Sequence, residues 1–253
     1  MLKVALVGAS GKFGQSVLEL YKALKPQNFQ FSTLVSKSTH QKIDPFVHLP
    51  YVALKNIEMC NLVIEIASSE ATNLCLDICK NKKIPLIIGS TGHNHELQEK
   101  ILKYSKYIPI FKAQNFSFVL QLYLDMVKKI SNNIKMDCYL DLIEKHRAEK
   151  KDTPSGTALE IAKALEMKYE IASFEEARKK DTLHIHPIRS HDHGIQHDLR
   201  IAFPYEELSI KHTVFNRKAY AQGVLMAIEF LQNASAGYYE MSSLINSITK
   251  ESQ

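Results

Sequence analysis

Short apolar runs alternate with helix-like segments along the first part of the chain, and this alternation constrains the fold more than any other feature. The runs and segments follow one another at residues 2–7, 13–24, 29–35, 62–67, 71–81, 85–88, 95–105 and 108–111. Strands that are apolar on both faces and separated by helices belong to a parallel sheet that helices cover on both sides. The sequence therefore predicts an α/β fold with an N-terminal, doubly wound parallel sheet of the Rossmann type.

The pattern changes beyond residue 117, where strands follow one another with fewer helices between them. Helices are predicted at 119–132, 156–167 and 219–233, with a further helix in the tail at 239–248, and strands at 136–143, 183–189, 196–203 and 208–215. The last three strands are joined by short turns, which favours an antiparallel or mixed sheet. We predict a dinucleotide-binding domain at 1–117 plus 218–253, and a second α+β domain on a mixed or antiparallel sheet at 118–217.

Composition and charge exclude several classes of protein. The chain has 253 residues, of which 45% are hydrophobic, so it can bury the core of one large domain or two modest ones. Its longest apolar runs are strand-sized, far below the roughly 20 residues of a membrane helix, and its N-terminus lacks a secretory pattern. Basic and acidic residues are interleaved around the net charge of +5, which disfavours nucleic-acid binding. We expect a cytoplasmic protein that binds neither membranes nor nucleic acids.

The cysteines indicate a reducing environment. Cys60, Cys75, Cys79 and Cys138 lack the spacing of a disulfide framework or a zinc site. Cys75 and Cys79 are four residues apart and fit one face of a helix. Reduced core thiols are therefore expected.

A glycine-rich loop, GASGKFG, lies between the first predicted strand and the first predicted helix. Gly8, Gly11 and Gly14 would permit a tight turn and a close approach of the backbone to a pyrophosphate at the helix N-terminus. The alternative is that the glycines only shape a turn. We favour a dinucleotide site whose contacts come from Gly8, Ala9, Ser10, Gly11, Lys12 and Phe13.

The end of the second predicted strand bears on the choice of cofactor. Dehydrogenases that prefer NADH usually carry an acidic residue there, which holds the ribose hydroxyls. This chain has Ser36 and Lys37 instead. A hydroxyl and a cation suit a 2′-phosphate, so Lys37 is predicted to bind cofactor and NADPH to be used at least as well as NADH. The alternative is a surface lysine beside a serine.

Two further segments follow predicted strands of the parallel sheet, GSTGH at 89–93 and AQNFS at 113–117. Ligands of open α/β sheets bind beyond the carboxyl ends of the strands. Small and amide side chains at these places are therefore candidates to flank a nicotinamide. The candidate contacts are Gly89, Ser90, Thr91, Ala113, Gln114, Asn115 and Phe116.

The segment EKHRAEKKDTPSGTA, residues 144–158, places two proton carriers beside an anion-binding turn. His146 and Lys150 differ in basicity, and Ser155, Gly156 and Thr157 open the predicted helix, whose N-terminus suits a carboxylate or a phosphate. A polar loop capped by Ser155 is the alternative, because such caps are common. The favoured interpretation is acid–base chemistry on a small acidic molecule.

A group of histidines in the second domain raises the possibility of a metal site. They are His184, His186, His191, His193 and His197. An H-x-H pair on a strand can bind zinc, but no cysteine or acidic triad completes a site and Arg189 repels a cation. We therefore predict no metal, and expect Arg189 and His197 to line a sheet that receives a dianion.

Together these segments resemble the dihydrodipicolinate reductase family, also called 4-hydroxy-tetrahydrodipicolinate reductases, of bacterial diaminopimelate and lysine biosynthesis. The resemblance runs almost the length of the chain. It is carried by VGASGKFG, IIGSTG, AQNFS and above all by the pattern E-x-H…K-x-D-x-P-S-G-T-A at 144–158. It implies an NAD(P)H-dependent oxidoreductase that reduces a cyclic dicarboxylic acid, and a homotetramer assembled through the sheet of the second, substrate-binding domain.

The resemblance also implies roles for individual residues. His146 and Lys150 match the family's catalytic pair, and Gly156 and Thr157 match its substrate-binding residues. The three segments at 8–13, 89–91 and 113–116 match its cofactor contacts. His146 is expected to act as a general acid, whereas Lys150 either donates a proton or holds a carboxylate. The family commonly has a second histidine where this chain has Arg147, which can still bind a substrate carboxylate.

Two other functions compete with the reductase. A semialdehyde dehydrogenase would need a nucleophilic cysteine in a loop, but Cys138 lies in a predicted strand. A non-enzymatic module that senses NAD(P) would have no use for His146 and Lys150 beside the Ser-Gly-Thr turn. The sequence favours the reductase.

Overall fold

The computed structural model describes residues 1–37, 42–57, 60–134, 137–173, 178–191 and 194–251. The chain forms two compact units, Met1–Phe118 together with Arg217–Gln253, and Val119–Asn216. Each junction lies one residue from the predicted limits of 1–117, 118–217 and 218–253. The part of the predicted strand at 136–143 that includes Met136, and His193 of the histidine group, lie outside the described residues.

The secondary structure is numbered in chain order. The strands are β1 (Leu2–Val7), β2 (Phe29–Val35), β3 (Tyr51–Val52), β4 (Leu62–Glu65), β5 (Leu86–Ile88), β6 (Pro109–Lys112), β7 (Tyr139–Arg147), β8 (Lys168–Ile171), β9 (Thr182–Ser190), β10 (Ile195–Ala202), β11 (Glu207–Val214) and β12 (Gly237–Tyr239). The helices are α1 (Lys12–Leu24), α2 (Ser69–Lys82), α3 (His95–Ser105), α4 (Phe118–Ser131), α5 (Gly156–Leu165), α6 (Lys218–Gln232) and α7 (Met241–Glu251).

The first unit is built on a seven-stranded sheet in the order β12-β6-β5-β4-β1-β2-β3. All of its strand pairs are parallel. Successive residues of β1 point to opposite faces, and each face has its own apolar cluster: Val4 and Leu6 pack with α1, α6 and α7, whereas Ala5 and Val7 pack with α2 and α3. The predicted doubly wound parallel sheet is confirmed.

Three short strands were not predicted. β3 and β12 have two and three residues, too few to show a periodic pattern, and β8 is a short edge strand with mostly exposed residues. β12 also corrects the predicted tail helix, because Tyr239 pairs with β6 and the helix begins at Met241.

The second unit is built on a five-stranded sheet in the order β11-β10-β7-β9-β8. β10 is antiparallel to both β11 and β7, while β9 is parallel to both β7 and β8, so the predicted mixed sheet is confirmed. The consecutive strands β9 and β10 are not neighbours. β7 lies between them at the centre of the sheet, which the short turn in the sequence did not indicate.

Two helices cover one face of this sheet. Leu140 and Leu142 of β7 pack with apolar residues of β9 and β10 against α4 and α5. Because side chains alternate along a strand, Glu144 and His146 continue the same face toward the carboxyl end of β7. The face therefore changes from apolar to polar where β7 approaches the loop that leads to α5.

Cys60, Cys75, Cys79 and Cys138 are free thiols, and Cys75 and Cys79 share the buried face of α2. None of the helices in the described ranges combines the length and the apolar character that a membrane span requires.

Candidate active site

The glycine-rich loop makes a tight turn at the carboxyl end of β1. Gly8 has a φ of 90°, a conformation that residues with a side chain rarely adopt. The N–H groups of Gly8 and Ala9 both donate to the carbonyl oxygen of Val35, at 3.0 and 3.2 Å. A Cβ atom at Gly14 would lie 2.4 Å from the carbonyl oxygen of Gly8, so only glycine lets α1 start this close to the turn.

The N-terminus of α1 fits the phosphates of a nicotinamide dinucleotide. Its N-cap is Gly11, and no side chain caps the helix. The first N–H groups of a helix have no partner within the helix and carry a partial positive charge, so they bind anions well. Ser10 and Lys12 are exposed beside this end. The start of α1 is thus open to an anion, and the contact of residues 8–13 with a cofactor stays a prediction.

At the end of β2 the two predicted polar residues differ in accessibility. The Oγ atoms of Ser36 and Ser10 are 2.6 Å apart, and Ser36 is buried. Lys37 is exposed. The hydroxyl of Ser36 therefore ties β2 to the glycine-rich loop, and Lys37 alone presents a charge to solvent.

The segments after β5 and β6 lie side by side. The N–H of Ala113 donates to the carbonyl oxygen of Ile88 at 3.1 Å, and a Cβ atom at Gly89 would lie 2.8 Å from the ring of Phe116. Thr91 and Gln114 are exposed, and Asn115 Oδ1 accepts the N–H of Ser117 at 2.9 Å. The predicted cofactor contacts of the two segments are therefore neighbours in the structure.

Ser90 lies within a buried polar network that the sequence analysis did not find. Its hydroxyl donates to Oε2 of Glu65 at 2.6 Å and lies 2.7 Å from Thr72 Oγ1 and 3.0 Å from His93 Nε2. Glu65 ends β4 and is fully buried. Because the Ser90 hydroxyl points into this network, a contact from Ser90 to a cofactor would have to come from its backbone. The one signal in the sequence is an acidic residue inside the apolar run LVIEIA.

Glu65 holds both neighbouring loops. Its Oε1 accepts the N–H groups of Ala67 and Ser68, at 2.6 and 2.9 Å, and its Oε2 accepts the hydroxyls of Thr72 and Ser90, at 2.5 and 2.6 Å. We infer that this carboxylate supports the edge of the sheet where the cofactor-binding candidates lie.

In the second unit the candidate acid–base residues gather on the helix-covered face. Glu144 and His146 of β7 are 0% and 5% exposed, and His197 of β10 is 1% exposed. His197 pairs with Glu144 across the sheet, and its ring lies 5.3 Å from that of His146 in an edge-on arrangement. The pairing of distant strands thus adds a second imidazole to the predicted site.

Both imidazoles are poor bases in this environment. Burial lowers the pKa of His146, the nearby Lys150 and Arg189 lower it further, and Glu144 raises it. Burial, together with the imidazoles of His146 and His212, lowers the pKa of His197 to about 3. His197 is therefore neutral at neutral pH, and its part in receiving a dianion stays a prediction.

The N-terminus of α5 is held in place by two buried groups. Ser155 caps the helix, its Oγ accepting the N–H of Ala158 at 3.1 Å. The same Oγ lies 3.2 Å from His197 Nε2, and the N–H of Ser155 donates to Glu144 Oε2 at 2.9 Å. Gly156 is exposed, and a Cβ atom there would meet nothing within 4 Å. The turn is fixed from below and open at Gly156, as a carboxylate site requires.

Lys150 and Arg147 differ in their surroundings. Lys150 Nζ forms an ion pair with Asp152 Oδ2 at 2.7 Å, which lowers the pKa of Asp152, and its side chain is 23% exposed. Arg147 is exposed at the end of β7 on the face opposite His146, because the two residues are adjacent on the strand. The structure therefore does not bring Arg147 to the imidazole, and its substrate contact stays a prediction.

Arg189 is occupied by the protein itself. Its guanidinium donates to Thr153 Oγ1 at 2.5 Å and to the carbonyl oxygens of Asp152 and Lys150 at 2.9 and 3.2 Å. Two longer contacts of 3.4 Å reach Glu144 Oε1. Arg189 thus ties the loop after β7 to β9, instead of lining an open face.

Among the residues that the structure describes, the histidine group does not converge on one metal ion. His184 and His186 lie on the opposite face from His197, 3.4 Å from Glu170 and 2.7 Å from Asp141. Glu144, His146 and His197 do offer potential ligand atoms within 4.8 Å of one another. Both oxygens of Glu144, however, already accept N–H groups, and Arg189 opposes a cation there. The arrangement fits a hydrogen-bonded acid–base site better than a metal site.

Cys138 does not suit covalent catalysis. It lies one residue before β7, outside the strand in which the sequence placed it, and is half-buried. Burial and the nearby Asp137 and Asp181 raise the pKa of its thiol. Reactive cysteines have a lowered pKa, so the competing semialdehyde dehydrogenase lacks its nucleophile at this position.

Solved structures share this fold. The dipicolinate-bound dihydrodipicolinate reductase from Paenisporosarcina sp. TG-14 superposes with a TM-score of 0.78 at 17% identity, covering 95% of this chain and 97% of that one. Aspartate semialdehyde dehydrogenase II from Vibrio cholerae gives 0.61 at 11% identity, over 92% and 98% of the two chains. At these identities the likeness concerns the fold alone.

The sequence comparisons decide the family. Models of the N-terminal and C-terminal parts of dihydrodipicolinate reductase match residues 2–116 and 119–245. The 4-hydroxy-tetrahydrodipicolinate reductase of Clostridium tetani is 31% identical over 254 residues, covering 98% of both proteins. That of Wigglesworthia glossinidia brevipalpis is 30% identical, over 98% of this chain and 95% of the relative. The chain therefore belongs to the dihydrodipicolinate reductase family of NAD(P)H-dependent oxidoreductases.

Proposed function

We propose that the protein reduces 4-hydroxy-tetrahydrodipicolinate to tetrahydrodipicolinate with NADPH or NADH, in diaminopimelate and lysine biosynthesis. One hydride from NAD(P)H and one proton enter, and NAD(P)⁺ and water leave together with the reduced ring. The observation that carries the proposal is the buried group of Glu144, His146 and His197 directly beneath an anion-binding helix N-terminus. Proton transfer and carboxylate binding are the two tasks that this substrate requires of the protein.

The first unit would hold the nicotinamide cofactor, which supplies the hydride when bound. The N–H groups at the start of α1 would bind its pyrophosphate, and the segments at 89–91 and 113–116 would flank its nicotinamide. Lys37 would bind the 2′-phosphate of NADPH. The exposed position of Lys37 and the absence of an acidic side chain at Ser36 support a use of NADPH at least equal to that of NADH.

The second unit would hold the dicarboxylate. One carboxylate would accept the N–H groups at the start of α5 and the hydroxyl of Thr157, with Gly156 leaving room for it. The ion pair of Lys150 with Asp152 supports an electrostatic role for Lys150, in which the ammonium exchanges its aspartate partner for the second carboxylate. Arg147 remains a candidate for the rim of the site.

His146 would donate the proton. Its pKa is below its ordinary value in the free protein, chiefly because of burial. A bound dianion nearby would raise that pKa, since an opposite charge favours the imidazolium form. His146 would therefore take up a proton as the substrate arrives and hold it at Nε2, which has no hydrogen-bond partner among the described residues.

We further propose a homotetramer formed through the sheet of the second unit. The face opposite α4 and α5 carries Tyr139 and Ile188, each 45% exposed. Exposed apolar side chains on a sheet face favour association with another copy of the chain.

The function is tested by mixing the protein with NADPH and freshly made substrate and following absorbance at 340 nm. We expect absorbance to fall, and pyridine-2,6-dicarboxylate, a planar mimic of the ring, to slow the fall. A module that only senses NAD(P) would bind NADPH without consuming it. Constant absorbance, with NADPH binding intact, would therefore contradict the proposed reductase.

A further inference from the structure

We propose that Glu144 is a positioning residue that holds His146 and the anion-binding turn at Ser155 in one fixed geometry. The inference rests on the proposed reductase function. Glu144 contacts neither ligand in this scheme and acts through the two groups that do.

The carboxylate of Glu144 joins three elements of the second unit. Its Oε2 accepts the N–H of Ser155 at 2.9 Å and lies 3.7 Å from His146 Nε2. Its Oε1 lies 3.4 Å from both terminal nitrogens of Arg189. A single side chain on β7 thereby links the proposed acid, the start of α5 and the strand β9.

The hydrogen-bonding capacity of Glu144 is only partly used. A carboxylate can accept about four hydrogen bonds, whereas Glu144 has one bond of ordinary length and two long ones. His146 Nε2 is buried and has no hydrogen-bond partner among the described residues. When His146 is protonated, a shift of about 1 Å would convert the 3.7 Å separation into a charge-assisted hydrogen bond.

Charges on several elements act on His146. Glu144 on the same strand and Asp152 in the following loop favour its protonated form, whereas Lys150 in that loop and Arg189 on β9 oppose it. His197 on β10 is neutral at neutral pH. Of the two carboxylates, only Glu144 is fully buried, and low-dielectric surroundings strengthen its interaction with the imidazole.

Glu144 would also fix the position of the proton donor relative to the bound anion. Ser155 is held by its N–H on Glu144 and by its hydroxyl beside His197. Once the protonated His146 is hydrogen-bonded to the same carboxylate, the proton donor has a constant position with respect to the carboxylate site. A misplacement of about 1 Å in such a geometry costs about 10²-fold in rate.

Two substitutions that remove charges of opposite sign beside His146 test the inference. Glu144→Gln keeps the shape and can still accept the N–H of Ser155, but it removes the negative charge. Arg189→Gln removes the positive charge on the other side of the same carboxylate. In histidine-labelled protein, NMR titration should show His146 deprotonating at lower pH in Glu144→Gln and at higher pH in Arg189→Gln than in the wild type. The His146 resonance is assigned by its loss in His146→Gln.

Turnover gives the second readout. We expect kcat of Glu144→Gln to fall by about 10²-fold and the KM for NADPH to stay unchanged. In the pH–rate profile, the decline in rate at high pH, the alkaline limb, should begin at a lower pH than in the wild type. Glu65→Gln is the matched control, because it neutralises an equally buried glutamate at the end of another strand. In that control, neither the pH at which His146 deprotonates nor the pH of the alkaline limb should change.

The outcomes separate the two proposals. If His146 titrates at the same pH in the wild type, Glu144→Gln and Arg189→Gln, or if Glu144→Gln keeps kcat within about twofold, the positioning role is wrong. If Glu144→Gln does not fold, Glu144→Asp decides, because it keeps the charge but withdraws the carboxylate from Ser155; a kcat within about twofold of the wild type in that variant would contradict the positioning role. If the wild type does not turn over, the reductase function fails, while the titration of His146 still reports on Glu144.

Discussion

In each unit a buried glutamate lies at or near the carboxyl end of a strand, with a buried histidine close to it, yet the two pairs are arranged differently. Glu65 accepts four short hydrogen bonds from neutral groups, and His93 joins the same network through Ser90 and Thr72. Glu144 accepts one short bond, faces Arg189 at longer range, and leaves His146 Nε2 without a partner in the described part of the chain.

The difference separates a supporting network from a reactive one. A saturated carboxylate fixes its loops and has no capacity left for a proton or a ligand. An unsaturated carboxylate beside an unpartnered imidazole costs stability, and folded proteins retain such groups chiefly where chemistry needs them. Burial and residue type are the same in both places, so the hydrogen-bond count distinguishes them.

Exchanging the two histidines for glutamine is the strongest test of this contrast. His146→Gln removes the proposed acid and should lower kcat by about 10²- to 10⁴-fold. The alkaline limb of kcat/KM, which reflects loss of the His146 proton in the free protein as pH rises through its lowered pKa, should disappear from the pH–rate profile. His93→Gln is the control and should keep both kcat and the limb; equal losses in the two variants would erase the distinction between the networks.

Glu65→Gln tests the supporting role. One acceptor oxygen becomes a donor facing N–H and O–H groups, so we expect a loss of about 2 kcal/mol of stability. For a chain of this size that corresponds to a fall in Tm of about 4–8 °C, measured by thermal unfolding with circular dichroism. A Tm that matches the wild type would show that the short hydrogen bonds around Glu65 do not support the fold.

The two threonines offer a smaller test. Thr157→Val removes a hydroxyl from the open end of α5 and should raise the KM for the dicarboxylate about tenfold, as the loss of a hydrogen bond to a charged group does. The KM for NADPH should not change. Thr72→Val, in the network of Glu65, should lower Tm and leave the dicarboxylate KM unaltered; a rise in that KM would contradict the separation of roles.

The smallest effect is expected at Lys37. Lys37→Ala removes one exposed charge, so the KM for NADPH should rise by roughly fivefold, equivalent to about 1 kcal/mol. The KM for NADH should stay within twofold of its wild-type value by the same estimate. Steady-state kinetics with each cofactor measure the two KM values. An equal rise in both would show that Lys37 does not recognise the 2′-phosphate.

Local pattern predicted most of the fold because the elements of the first unit are long or strongly apolar. α3 occupies the predicted range at 95–105, and β1 the predicted 2–7. β3 and β12 could not be predicted, since two or three residues carry no period. The order of strands in the second sheet was also out of reach, because the short turn between β9 and β10 suggests a hairpin whereas β7 lies between them.

The candidate site shows the same limit. The segment 144–158 contains His146, Lys150 and Ser155, so local sequence was enough to propose the acid and the turn. Nothing local indicates that His197 pairs with Glu144, because their strands lie far apart in the chain. The shared face of Glu144 and His146 was accessible from the alternation with Leu140 and Leu142, and that signal was not used.

The central position of β7 also bears on local stability. β7 is hydrogen-bonded on both sides, to β10 and to β9, and its apolar half lies in the core of the second unit. Strands of this kind open only with the unfolding of the whole unit, so their amide hydrogens exchange with solvent last. The backbone that carries the proposed proton donor therefore belongs to the slowest-exchanging part of its unit, and Arg189 and Glu144 anchor the loop at 148–155, which carries Lys150, to this part.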